Sequence, residues 1–208
     1  MPTPHSPVYV WFDTEFTSLD LESAHLLQVA MVVTDGELRR RGPPESDVVT
    51  AVRLPAAAPV SPWVQQHGGA LLAAARADTA PTPATVDDLL CRRLDELAGP
   101  ASADPAARPI LAGNSLHNDW WLARRRLPRF AARLHYRHLD VTAYKLEWLR
   151  RGEPEFDKGN AARILEFFPD AGPAVAAHAR HDAHYDTLAS IAELAFYRHT
   201  LLTPRRTR

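Results

Sequence analysis

A single cysteine, Cys91, serves the whole 208-residue chain, which excludes an internal disulfide and any zinc site built on several thiolates. Lysine is almost as scarce: Lys145 and Lys158 are the only two, and arginine carries the remaining positive charge. In a chain rich in alanine and proline this bias reads as base composition of the coding DNA. No apolar run approaches the roughly 20 residues that a membrane span requires. The opening MPTPHSPV lacks the basic start and apolar centre of a secretory signal. A cytoplasmic, reducing location with no membrane partner is expected. Excess positive charge is missing too. The formal net charge of −1 argues against a grip on long nucleic acid by broad phosphate neutralisation and leaves short anionic ligands open.

What is present suffices for one well-packed domain, with 46% hydrophobic residues, expected over residues 7–202 between disordered tails at 1–6 and 203–208. VYVWFDTEF (8–16) reads as a buried strand. HLLQVAMVVTDGELRRR reads as a strand, a tight Asp35-Gly36 turn and a return strand. DVVTAVRL continues the meander, so antiparallel strands come first. Helices are predicted at SPWVQQHGGALLAAARA and TVDDLLCRRLDELA, and GPASADPAARP is a surface linker. Alternation follows: PILAGN as strand, SLHNDWWLARRRL as helix, RHLDVT as strand, then helices to the end. An antiparallel meander joined to parallel strands gives an α/β fold, a mixed β-sheet flanked by α-helices as in ribonuclease H-like proteins.

The first strand raises a physical question, because it runs apolar side chains into two acids. Residues at i and i+2 of a strand share a face, so Asp13 and Glu15 converge. Two carboxylates that close are costly at a buried strand end unless a positive charge lies between them. A divalent metal with a preference for hard oxygen ligands, Mg²⁺ or Mn²⁺, would answer, and a solvated strand end is the plain alternative. Asp119 stands in the first turns of the helix after PILAGN, a place that the helix dipole alone also favours. In HARHDAHYDTLASIAELAFY, Asp182 suits an N-cap, Asp186 lies one turn inside the helix, and His181 precedes the cap.

These pieces resemble the three acidic motifs of an exonuclease family, in the subgroup with a histidine five positions before the last aspartate. FDTEFTSL resembles the first motif, GNSLHND the second and HDAHYD the third. Within that family the oligoribonuclease branch is also echoed by PWVQQHG, GNSLHNDWWL, LHYRHLDVT and SIAELAFYR, which together cover most of residues 8–150 and 181–198. The resemblance implies a 3′–5′ exonuclease that cuts short oligonucleotides, RNA or DNA, to nucleoside 5′-monophosphates. It implies Asp13, Glu15, Asp119 and Asp186 as ligands of two divalent ions, with His181 as general base; the neighbouring His178 and His184 compete for that role but lack the family spacing to Asp186. Leu19, Trp63 and His67 would contact the last two bases. Ser115, Tyr136 and Arg137 would close on the 5′ phosphate, the latter two from the partner subunit of a homodimer. Trp63 could instead be a core anchor, and LHYRHLD an ordinary strand entry.

Departures from the branch are Thr14 and Phe16 in the first motif, Ser18 where glycine is usual, Ala143 beside Thr142, and a long segment from Gly152 to Ala177. They put strict dinucleotide selectivity in question. Two rival readings follow. A proofreading or processing exonuclease of the same fold would use Arg124, Arg125, Arg126, Arg129 and Arg133 on phosphates, unless these are a solvated helix face. A non-catalytic zinc module would use His178, His181 and His184, although helical i, i+3, i+6 spacing spreads those rings over about 120° of the helix face.

Overall fold

The computed structural model describes residues 7–172, 174–177 and 182–202. His178, His181 and both expected tails lie outside the described residues.

Five strands form one sheet in the order β3-β2-β1-β4-β5. β1 (Tyr9–Phe16) is its centre, paired antiparallel with β2 (Leu26–Thr34) and parallel with β4 (Ile110–Gly113). β3 (Val48–Ala51) lies antiparallel outside β2, and β5 (His138–Asp140) lies parallel outside β4. A central strand is covered on both faces, which is why β1 reads as a near-continuous apolar run. Its alternation survives as a choice of partners. Tyr9 and Trp11 pack on one helical layer, Val10 and Phe12 on the other.

The layer on the Trp11 face holds α6 (Val141–Leu149), α7 (Ala161–Phe167), the short α8 (Ala174–Ala177) and α9 (Ala183–Leu202). The opposite layer holds α3 (Pro83–Ala98), α4 (His117–Arg126) and α5 (Pro128–Ala131). α9 is buried nearly all round, with Leu188, Ile191, Ala192, Leu194 and Tyr197 fully enclosed, as expected of an interior helix. Each such leucine or isoleucine contributes about 1.5–3 kcal/mol, and truncating Leu188 to alanine should cost about 2–5 kcal/mol.

Two local expectations change. The Asp35-Gly36 turn forms, but the return strand shrinks to a single bridge between Thr34 and Arg40. Asp35 accepts from the main-chain N–H groups of Glu37 and Arg39, and Leu38 takes a left-handed conformation (φ 64°), which turns the chain off the sheet. Val48–Ala51 takes the edge instead. The helix expected over SPWVQQHGGALLAAARA divides into α1 (Pro62–His67) and α2 (Gly69–Arg76) at Gly68. A Cβ on Gly68 would lie 2.8 Å from the Val64 carbonyl oxygen, so the close turn there requires glycine. The other predicted helices stand where expected, with Thr82 capping α3 ahead of Pro83.

Candidate active site

The site forms where β1 outruns its parallel neighbour. β4 pairs with β1 only as far as Trp11 opposite Ala112, and the chain turns away at Gly113, where a Cβ would meet the Phe12 carbonyl oxygen at 3.0 Å. Asp13 and Glu15 therefore project past the turn on the α9 face, in phase with Tyr9 and Trp11. From the far end of the chain, α9 brings Asp186. Its first turn is fixed by Asp182, whose Oδ1 accepts from the N–H groups of His184 and Tyr185, as expected of an N-cap. Gln28 of β2 adds two bonds, to the Asp182 carboxylate at 3.2 Å and from the Ala183 N–H at 2.9 Å.

Asp13, Glu15 and Asp186 each offer one carboxylate oxygen within 4.8 Å of the others. Burial, then the charges of Asp119, Asp186 and Glu15, hold the Asp13 carboxyl well above the usual range, and Lys158 acts in the opposite direction. Burial and the neighbouring Asp186, Asp182 and Asp119 push Glu15 up to about 8. Three convergent carboxylates, with the ionised forms of Asp13 and Glu15 this disfavoured, suit a hard divalent cation, which would compensate their charge.

Asp119 stands outside that triangle. It is in the first turn of α4 and buried, with its Oδ1 2.6 Å from the Thr14 hydroxyl, which donates to it. Thr14 points to the α4 face because it alternates with Asp13 and Glu15. Burial pushes Asp119 up to about 7 despite the opposing hydrogen bonds from Thr14. Thr14 is a residue that sequence reasoning treated only as a departure in the motif.

His184 is not available as a rival base. Its Nε2 lies 2.8 Å from Asp47 Oδ2, and Asp47 is also paired with the buried Arg40. The same bond removes His184 from a zinc-binding trio. Nothing in its local sequence announces a partner so far away.

The expected base-contacting residues meet beside Glu15. Leu19 and Trp63 line a cavity of about 560 Å³ together with Glu15, Phe16 and Ser18. His67 lies in the adjoining one, its ring stacked on Trp63 with centroids 4.8 Å apart. Leu19 is 83% exposed and Trp63 54%, so Trp63 is not a core anchor. Ser61 caps α1, and its N–H donates to the Thr17 carbonyl, which ties this helix to the end of β1.

Ser115 lies in the turn between β4 and α4, with φ 52°, and its N–H donates to Asp140 and Thr142. Tyr136 and Arg137 are exposed, and the Arg137 guanidinium lies over the Tyr136 ring. They precede β5, whereas Asp140 ends it. A single chain thus places them at the opposite end of the β4–β5 pair from Ser115. Of the arginine cluster, Arg125 pairs with Glu22, Arg129 with Asp88 and Arg133 with Asp95, while Arg126 donates to the Ala24 carbonyl. These four are tied within the protein, which weakens a phosphate-gripping role.

The same architecture occurs in a moderately thermophilic exonuclease I from Methylocaldum szegediense (TM-score 0.63, 18% identity), matched over 95% of this chain and 41% of that one. The class is an α/β protein of ribonuclease H-like fold. A family model described as Exonuclease (RNase T) matches residues 10–194. The chain is also similar to oligoribonucleases: that of Corynebacterium glutamicum (strain R) is 32% identical over 189 residues, 91% of this chain and 77% of the relative. That of Mycolicibacterium paratuberculosis is 34% identical over 192 residues, 92% and 80%. The chain belongs to the exonuclease family and is a 3′–5′ exonuclease. No helix among the described residues is long and apolar enough to cross a membrane.

Proposed function

We propose that this enzyme removes nucleoside 5′-monophosphates from the 3′ ends of short oligonucleotides, RNA or DNA, dinucleotides included. The convergence of Asp13, Glu15 and Asp186 on one point carries the reading. These three, with Asp119 beside them, would hold two divalent cations, Mg²⁺ or Mn²⁺. Such ions, when bound, stabilise the attacking and leaving oxygens of an in-line phosphoryl displacement. The chain's own residues supply the rest. Thr14 orients Asp119 through its 2.6 Å hydrogen bond. His181, assigned by its spacing from Asp186, takes the proton of the attacking water, since imidazole titrates near neutrality. Leu19, Trp63 and His67 hold the terminal bases by apolar and stacking contact, which accepts any base.

Ser115 would meet the 5′ phosphate of the shortest substrates, with Tyr136 and Arg137 supplied by the partner of a homodimer. Their separation from Ser115 within one chain supports that arrangement. The test incubates pure protein with Mn²⁺ and 5′-labelled RNA and DNA dinucleotides, pentanucleotides and strands of about twenty nucleotides, a length at which binding would need an extended cationic track. Rapid loss of the short species with slow attack on the long ones supports the proposal. The reverse preference would favour a processing enzyme, and no metal-dependent cleavage would end the two-metal reading.

A further inference from the structure

α9 carries a second carboxylate that the chemistry above leaves unused. Glu193 lies two turns beyond Asp186 on the same helix and is 0% exposed. A carboxylate in such a place survives ionised only with a cation and well-placed donors. Lys158 provides the cation, with Nζ 2.7 Å from Glu193 Oε2. Asn114 Nδ2 donates to that oxygen at 2.9 Å, and the Tyr197 hydroxyl donates to Oε1 at 2.9 Å.

The network runs on to the main chain of Asp186, one corner of the acidic triangle. Asn114 Nδ2 also donates to Ser190 Oγ at 2.8 Å, and Ser190 Oγ donates to the main-chain oxygen of Asp186 at 2.8 Å. Asn114 follows β4 by one residue, just past the close approach of Gly113 to the Phe12 carbonyl where the pairing with β1 ends. The Lys158–Glu193 pair is thus tied through Asn114 and Ser190 to the helical turn that bears Asp186. Lys158 also acts on Asp13 against the carboxylates around it. Arginine makes most of the ion pairs among the described residues, yet here an ammonium occurs, a compact point charge that needs no planar fork.

We propose that Lys158 is a positioning residue of the acidic site, an internal counter-charge that acts with Glu193 and Asn114 and limits how tightly the carboxylates hold a divalent cation. This rests on the metal-binding reading above. A fixed ammonium partly neutralises the acids and repels an incoming cation. Its buried partner Glu193 keeps it from swinging away into solvent.

The test is calorimetric titration of the metal-free protein with Mn²⁺ in two variants whose effects must differ in sign. Lys158→Met/Glu193→Gln removes both charges together, so no lone charge is left buried, and should bind Mn²⁺ about threefold or more tightly than wild type. Glu193→Gln alone leaves the ammonium uncompensated and should bind about threefold or more weakly. General loosening of the site would weaken binding in both. Equal or weaker binding by the double variant overturns the proposal. Absence of Mn²⁺ binding by wild type overturns the metal-binding reading itself, a result distinct from failure of Lys158.

Discussion

The Thr14 hydroxyl donates to the Asp119 carboxylate across 2.6 Å and so links the central strand to the first turn of α4. Asp119 is already pushed up to about 7 by burial, and this bond acts against the push. Thr14→Val keeps the shape and deletes the donor. The carboxyl should rise further, and the acidic limb of the pH–kcat/KM profile should move up by roughly one pH unit, the worth of one hydrogen bond to a charged group. An unmoved limb would separate Asp119 from catalysis.

Glu15 makes stability depend on pH in the metal-free protein. Its folded-state pKa of about 8 lies above its ordinary 4.5, so the folded state holds the proton more firmly than the unfolded chain does. The corresponding stability is full below about 4.5 and is lost as pH rises through about 8; Asp13 and Asp119 shift in the same direction. Melting in EDTA should show a loss on the order of a few kcal/mol over that window. Saturating Mn²⁺ should restore most of it at the alkaline end.

Asp13→Asn should uncouple activity from stability. Hydrolysis should fall by roughly two to three orders of magnitude, the usual cost of losing one electrostatic contact in a reaction centre. The metal-free protein should melt higher than wild type, because one member of a repelling set has become neutral. Parallel activity and EDTA melting measurements decide both.

The two histidines near the start of α9 should give opposite phenotypes. His184 is bound to Asp47 at 2.8 Å, so His184→Gln should cost about 1–3 kcal/mol of stability and leave kcat nearly intact. His181→Ala should lose about 10²–10⁴-fold in kcat with normal melting, if it serves as the base. A reversed pattern would reassign the proton acceptor.

Trp63→Ala should act on binding. Loss of one stacking face is worth about 1–3 kcal/mol, so the KM for a dinucleotide should rise roughly five- to 150-fold with a smaller change in kcat. Unchanged KM would return Trp63 to the status of a surface aromatic.

The reach of the sequence can be judged residue by residue. Asp13 and Glu15 were legible because strand alternation is a local rule, and Asp182 was legible as a cap because capping is local as well. Thr14 was not, since its role depends on which helix faces the other side of β1. The His184–Asp47 and Lys158–Glu193 bonds join residues far apart in the chain, and no periodicity records such pairing. The over-read return strand after Asp35-Gly36 shows the reverse error: a strong turn signal announces reversal without saying which segment will take the sheet edge.

β1 and α9 bring their acids from near opposite ends of the described chain. A nascent or truncated copy that lacks the final helix cannot assemble the triangle at all, however well its strands pair. A chain that stops before α9 therefore keeps the strand pair of acids and lacks the third.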